Sequence, residues 1–254
     1  RDRTYRFLKQ TGSGFMQFLP VVERISDLMP ETQLKLVAPV HGEARVAPWT
    51  VAAEDYGRFL ITVFDEWVRN DVGRYYVQIF DATLANYVGG NPGICVFCET
   101  CGDALTMEHN GDLYSCDHFV YPEYYLGNIL DTPMIDMAKS QHQFDFGISK
   151  RNKLPRYCLK CDVRWACNGE CPKHRFLYTP DGEPGLNYLC EGYRMFFKHV
   201  EPYMNYMARE LKNRKPPANV MNWIRSKENK IKKTVLPGRN ELCPCAVSYT
   251  HLTL

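Results

Sequence analysis

The sequence of 254 residues has no long hydrophobic run, and its first residues do not have the pattern of a secretory leader. The absence of a stretch of about 18 consecutive apolar residues argues against a membrane-spanning helix. The first residues, RDRTYRFLKQTG, contain neither the apolar stretch nor the small-residue cleavage site of a signal peptide. We therefore expect a cytoplasmic protein that has no membrane partner.

The chain also lacks an internal repeat and a strong net charge. Its formal net charge is +2, so nothing in the overall balance indicates a nucleic-acid partner, and none is expected. The charges are unevenly distributed, because nine Lys or Arg residues and only Glu228 lie between Lys212 and Arg239. We interpret this stretch as a solvated basic arm.

Residues 1–90 alternate between helix-like and strand-like patterns. Residues 5–10 and 82–87 resemble helices, and residues 15–20 and 75–80 resemble strands. Between the strands, Thr50 is the predicted N-cap of a long amphipathic helix. The order predicts an α/β fold, the C-terminal part of a partial TIM-like (β/α) barrel whose N-terminal part is missing.

From Gly89 onward the chain is rich in cysteine, glycine and short segments. A hairpin is predicted around Asn110-Gly111, and a helix over residues 193–211 is the last predicted element. We predict three units: the partial barrel over residues 1–90, a loop-rich α+β metal-binding domain with its C-terminal helix over 91–211, and the basic tail over 212–254.

Eleven cysteines are present, and a reducing compartment favours metal ligation over disulfides as the reason to retain them. The segment CLKCDVRWACNGEC has the spacing C-x2-C-x5-C-x3-C, which indicates a metal-binding segment. Four thiolates suit either a structural zinc ion or an iron-sulfur cluster, and spacing alone does not separate the two.

The cysteine pattern as a whole resembles the SPASM domain that follows the barrel of many radical S-adenosylmethionine enzymes. It consists of C-x14-C with G-x4-C, the segment above, and a last cysteine. The segments QFLP, FD, CD, LGN and LNY strengthen the match, and together with Glu23 they resemble the anaerobic sulfatase-maturating enzymes over about residues 4–210.

This resemblance implies two 4Fe-4S clusters whose ligands are interleaved along the chain. One set would be Cys95, Cys101, Cys116 and Cys171, and the other Cys158, Cys161, Cys167 and Cys190. Four cysteine ligands leave no open iron position, which suits auxiliary clusters that transfer electrons. Cys98 matches no ligand position in the family.

Two further residues take their expected roles from the resemblance alone. Asp117, which follows a ligand cysteine, would be the base that deprotonates the target residue. By itself it is an ordinary carboxylate near a turn. Val22 falls where the family contacts S-adenosylmethionine, although by itself it is an ordinary apolar residue. His118, Lys173 and His174 lie beside ligand cysteines, where hydrogen bonds to sulfur would tune a cluster.

The implied activity is the oxidation of a Cys or Ser of an unfolded sulfatase polypeptide to formylglycine, with an external electron donor as the other partner. The complete enzyme would also contain S-adenosylmethionine and a third 4Fe-4S cluster, held by a C-x3-C-x2-C motif that this sequence lacks. We therefore expect the chain to be the C-terminal fragment of a longer enzyme, inactive alone.

Two alternatives stay open. A related SPASM enzyme that cross-links or epimerises a ribosomal peptide would share the cysteines without needing Asp117. A zinc-binding interaction module would share the cysteines without catalysis. Near the C-terminus, PGRNELCPC resembles the start of a SEC-C zinc motif, but the following AVSYTHLTL lacks its second half. We expect no zinc site there, even with His251 nearby.

Overall fold

The computed structural model describes residues 2–26 and 44–235. The disrupted SEC-C motif and His251 lie outside the described residues. Within them, no helix is long and apolar enough to cross a membrane.

The described part of the chain is mixed α/β and contains helices and short strands. The helices are α1 Asp2–Gln10, α2 Ala53–Asn70, α3 Gln78–Tyr87, α4 Met134–Ala138, α5 Gln141–Asn152, α6 Arg156–Leu159, α7 Arg164–Cys167, α8 Cys190–Lys212 and α9 Asn219–Val235. The strands are β1 Phe15–Met16, β2 Arg24–Ile25, β3 Arg45–Val46, β4 Tyr76–Val77, β5 Thr106–Met107, β6 Asp112–Tyr114, β7 Tyr125–Asn128, β8 Leu177–Tyr178 and β9 Pro184–Leu186.

The α/β character lies in the first part of the chain. Strands β1 and β4 pair in parallel, with Phe15 opposite Tyr76 and Met16 opposite Val77, and α2 lies between them in sequence. This connection is the βαβ arrangement from which parallel sheets are built. No closed barrel forms within residues 2–26 and 44–235.

The predicted boundaries differ from the structure at three places. The strand predicted over residues 75–80 is only β4, because Gln78 begins α3 and helical spacing buries Ile79, Phe80 and Thr83. Only two residues of the segment 15–20 form β1. Thr50 does not cap α2; its Oγ1 instead bonds the main chain of Glu23, at 2.9 Å to the carbonyl and 3.0 Å to the amide.

The hydrophobic core is an aromatic cluster between α2, α3 and α8. The Phe64 ring centroid lies 5.2 Å from that of Phe80 and 6.2 Å from that of Phe196, both in edge-on geometry. All three side chains are fully buried, and such pairs add to the free energy gained by burial alone. The stripe of apolar residues predicted on α2 therefore faces the core.

Helices α2 and α8 approach each other at two glycines. A Cβ atom on Gly57 of α2 would lie 2.7 Å from both the Cα atom and the carbonyl oxygen of Gly192 on α8. No real side chain tolerates such contacts, so the two backbones touch directly. This contact joins the start of α8, at Cys190, to the core of the first part of the chain.

The middle of the chain, residues 91–189, is held together by small sheets and turns. Strands β5, β6 and β7 form an antiparallel sheet, which includes the hairpin predicted around Asn110-Gly111. Gly111 has a φ of 89°, as the tight turn between β5 and β6 requires. A second antiparallel pair, β8 and β9, lies near its end.

The basic arm is partly a packed helix. Helix α9 covers residues 219–235, and its Val220 and Ile224 are buried. The Trp223 ring stacks on Tyr206 of α8 with centroids 4.8 Å apart. The described basic side chains are exposed, but the count of basic residues does not indicate this apolar stripe at helical spacing.

Candidate iron-sulfur and substrate site

The first predicted cysteine set surrounds a cavity of about 480 Å³. Cys95 begins a short 3-10 turn, Cys101 follows that turn, Cys116 lies after β6, and Cys171 precedes another 3-10 turn. Residues far apart in sequence thus line one cavity. The structure groups these four residues as the family pattern implies.

The second predicted set lines a separate and much smaller cavity. Cys158 lies in α6, Cys161 follows it, Cys167 ends α7, and Cys190 begins α8. Helix α8 therefore delivers the last thiol of this set. Cys98 lines neither cavity; its Sγ lies 3.3 Å from the carbonyl oxygen of Ile94.

The thiols of each set stand around a cavity rather than at one point. No three His, Cys, Asp or Glu side chains within the described ranges are close enough to hold a single metal ion. A zinc ion draws its cysteine ligands to about 2.3 Å from one centre. The four thiols that line the cavity of about 480 Å³ suit a polynuclear iron-sulfur cluster, whereas the second set encloses only about 20 Å³.

Burial favours the protonated form of several of these thiols in the absence of metal. Desolvation raises the pKa of Cys116, Cys167 and Cys190 to about 12 each. It also raises the pKa of the buried Cys171 thiol. Since metal ligation requires thiolates, loading either set would release protons.

Asp117 lies at the wall of the larger cavity, next to the first cysteine set. The Cys116 thiol donates a hydrogen bond to Asp117 Oδ1 at 3.1 Å. The Asp117 side chain is exposed, whereas its neighbour Phe119 is buried. The carboxylate is therefore accessible to a molecule that enters the cavity.

Val22 lines the same cavity from the α/β part of the chain and is buried. It belongs to the segment 17–23, which continues from β1 and forms one wall. Beside it, Glu23 Oε1 pairs with Lys173 Nζ at 2.9 Å across 150 residues of sequence. The cavity thus lies between the α/β part and the cysteine-rich segment, and an ion pair spans the two.

The three basic residues beside the ligand cysteines, His118, Lys173 and His174, have different contacts. His118 Nδ1 lies 3.3 Å from the Sγ of Cys171, within reach of the sulfur contact predicted for it. His174 instead bonds Glu170 through Nδ1 at 2.9 Å, and Lys173 is occupied by Glu23. Only His118 directly contacts a predicted ligand sulfur in this group.

Two cationic residues near the cysteines were not predicted. Lys150 is almost fully buried, and its amine donates to the main-chain carbonyls of Cys95 and Val96. Arg175 is half-buried and donates only to main-chain carbonyls. Desolvation lowers the pKa of both groups. No spacing signal in the sequence distinguishes them from solvated cations.

Comparison with protein families identifies the cysteine-rich segment. The SPASM family, described as an iron-sulfur cluster-binding domain, matches residues 98–162. These residues include two cysteines of the first predicted set, Cys101 and Cys116, and two of the second, Cys158 and Cys161.

Curated relatives match most of the chain. It is 49% identical over 227 residues, or 89% of its length, to a serine-type anaerobic sulfatase-maturating enzyme of Bacteroides thetaiotaomicron, of which it covers 55%. It is 31% identical to a serine-type enzyme of Klebsiella pneumoniae over 82% of the chain and 46% of that protein. A cysteine-type enzyme of Clostridium perfringens is 26% identical over 83% of the chain and 53% of that protein. The chain thus spans about half the length of the curated relatives it matches.

A solved structure shows the same fold. Native anSMEcpe, with bound AdoMet and a peptide called Cp18Cys, superposes with a TM-score of 0.64 at 25% identity. The match covers 82% of the chain and 53% of that structure.

Proposed function

We propose that the chain belongs to the family of the anaerobic sulfatase-maturating enzymes and is part of an enzyme that oxidises a sulfatase side chain to formylglycine. The identity of 49% to a serine-type relative, against 26% to a cysteine-type one, favours Ser as the target. The substrate would be an unfolded sulfatase polypeptide, and an external electron donor would be the other partner.

The observation that carries this proposal is the arrangement around the larger cavity. Four thiols, an exposed carboxylate at Asp117 and the wall containing Val22 face one space of about 480 Å³. A target side chain in this space would meet the base and the first cysteine set together. When bound, the two auxiliary 4Fe-4S clusters would accept the electron released by the oxidation.

In this proposal Asp117 takes the proton from the hydroxyl or thiol of the target. A carboxylate is a weak base, but it suffices for a proton that is acidified once the adjacent carbon has lost a hydrogen atom. Val22 would contact S-adenosylmethionine, which together with the third cluster belongs to the complete enzyme.

A reducing, cytoplasmic location is also part of the proposal. The nine cysteines between residues 95 and 190 form no disulfide in the described structure. A reducing compartment keeps thiols available for metal.

The decisive experiment uses the complete enzyme, extended by the sequence that precedes this chain in its gene and loaded with iron and sulfide without oxygen. It would be incubated with sulfatase-derived peptides that carry Ser or Cys, and formylglycine would be measured by mass spectrometry. We expect conversion by the wild type and a loss of at least about a hundredfold in rate for Asp117→Asn. Asp136→Asn, an exposed aspartate on α4, is the matched control and should retain the rate.

Each failure has a separate meaning. A wild type that produces no formylglycine contradicts the proposed function. An Asp117→Asn variant with full activity contradicts only the role of the base. A colourless chain with stoichiometric zinc after loading would support the interaction module instead.

A further inference from the structure

The two cysteine sets are joined by an unusually short connection, the 168–170 link. The link consists of Asn168, Gly169 and Glu170, and connects Cys167 of the second set to Cys171 of the first. Its three residues have φ values of 48°, 71° and 53°. Residues with a Cβ atom disfavour this left-handed region, whereas glycine does not. Three consecutive residues in it therefore require support from their surroundings.

Arg175 supplies this support. Its Nε donates to the carbonyl of Gly169 at 2.8 Å, and its Nη2 donates to the carbonyls of Asn168 at 2.9 Å and Glu170 at 3.1 Å. One guanidinium therefore holds all three carbonyls of the link. The five donors of the planar guanidinium are spread over three nitrogens in a fixed fork, whereas an ammonium group has three donors on a single nitrogen.

The same guanidinium reaches the ligand loop of the first set. Arg175 Nη1 donates to the main-chain carbonyl of Lys150 at 2.6 Å. The Lys150 amine in turn donates to the carbonyls of Cys95 and Val96. Arg175 and Lys150 thus connect the link to the turn that carries Cys95.

On its other side, the link is hydrogen-bonded through Asn187 to the segment that carries Cys190. Asn187 Nδ2 donates to the Glu170 carboxylate at 2.6 Å. Asn187 Oδ1 accepts from the amide of Leu189 at 2.7 Å, and Leu189 directly precedes Cys190. The link is therefore bonded to segments that carry ligands of both sets.

We propose that Arg175 is a positioning residue that fixes the two cysteine sets relative to each other by holding the 168–170 link in its left-handed conformation. The proposal rests on the cysteine assignment of the proposed function. Loss of Arg175 would release a strained connection, and the thiols of Cys167 and Cys171 would lose their fixed separation.

The first test uses the metal-free chain and so does not depend on cluster chemistry. Hydrogen exchange would be compared between wild type, Arg175→Lys, Arg175→Gln and the control Arg58→Gln, which removes two surface ion pairs on α2. We expect the amide of Glu170, bonded to the carbonyl of Cys167 at 2.9 Å, to exchange at least about tenfold faster in both Arg175 variants. Unchanged exchange in Arg175→Lys would overturn the proposal.

The second test loads the chain with iron and sulfide. We expect Arg175→Lys to lose iron from both sets and to change the electron paramagnetic resonance signals of both reduced clusters, although its charge is retained. A buried core variant, Val200→Ala on α8, controls for general destabilisation and should keep both signals.

The outcomes distinguish the two proposals. Wild-type signals in Arg175→Lys, or an equal loss in Val200→Ala, would overturn the positioning role. A wild-type chain that binds no iron would instead contradict the proposed function, while the exchange experiment would still decide the role of Arg175.

Discussion

The helical region and the cysteine-rich segment are stabilised in different ways. Helices α2, α3, α8 and α9 bury a continuous aromatic and aliphatic cluster. Residues 91–189 instead form short helices and strands of two to four residues, and polar groups such as Lys150, Glu170 and His174 are buried among them. Apolar burial therefore stabilises the helical region, whereas hydrogen bonds and the proposed metal ligands stabilise the cysteine-rich segment.

Metal removal should produce the largest difference between the two regions, measured as the rate of amide hydrogen exchange. We expect amides of residues 91–189 to exchange roughly a hundredfold faster in the metal-free chain than in the iron-loaded chain, because ligand binding stabilises the segment that contains the ligands. Amides of α2 and α8 should change far less. Hydrogen exchange with mass spectrometry measures both regions together, and equal changes would remove the distinction.

Single cysteine substitutions sharpen the comparison within the cysteine-rich segment. Cys171→Ala should lower the iron content from about eight to about four atoms per chain, because one 4Fe-4S cluster loses a ligand. The cluster lost should be that of Cys95, Cys101 and Cys116, although Cys167 is nearer in sequence. Iron assays and cluster spectra of Cys171→Ala, Cys158→Ala and their double variant test this. Cys98→Ala is the control and should retain about eight iron atoms per chain. The grouping is wrong if Cys171→Ala and Cys158→Ala remove the same cluster.

Gly57→Ala addresses the helical region alone. The added methyl group would press on the backbone of α8, so we expect the free energy of unfolding to fall by about 1 to 3 kcal/mol. Iron content should be preserved at temperatures where the chain stays folded. Denaturant unfolding measures the loss, and Gly14→Ala, which has open space around it, is the matched control. A loss of iron in the folded variant would show that the two regions are not independent.

The substitution Asp81→Asn should give the smallest change, measured as the free energy of unfolding. Burial raises the pKa of its carboxyl to about 6, from an ordinary 3.8. Because the folded state favours the neutral form, this stabilisation is present below about pH 4 and is lost as the pH rises through about 6. Asp81→Asn should therefore raise the stability at pH 7 by about 1 kcal/mol, a figure reduced because the side chain is partly exposed.

Thermal unfolding at pH 4 and pH 7 checks this last prediction. The gain from Asp81→Asn should be seen at pH 7 and disappear at pH 4. An equal gain at both pH values would contradict the titration of Asp81 as its cause.

Much of the fold was predictable from the sequence because its signals are periodic. The stripe on α2 and the hairpin at Asn110-Gly111 follow from local patterns. The apolar run over residues 75–80 was assigned to a strand because short apolar runs do not distinguish strand from helix. Tertiary packing of Phe80 against Phe64 decides in favour of α3.

The candidate site was predictable only in part. The cysteine spacing indicates metal, and the family resemblance supplies a grouping whose two sets line two different cavities. Arg175 and Lys150 carry no such signal. Their partners are main-chain carbonyls, which every residue type has, so no residue pattern in the sequence marks them. The contact of Thr50 with Glu23 was missed for a related reason, since a hydroxyl at the start of a helix usually caps it.

The contact between Gly57 and Gly192 also limits how this protein can be recombined. Helix α8 begins with Cys190, the last cysteine of the second set, and its first turn rests on the backbone of α2. A chimera that exchanges residues 91–192 between relatives therefore needs a glycine at position 192, or an equally close approach, to keep the contact with Gly57. The cysteine-rich segment is thus not a freely transferable module, because its closing ligand is built into the core of its neighbour.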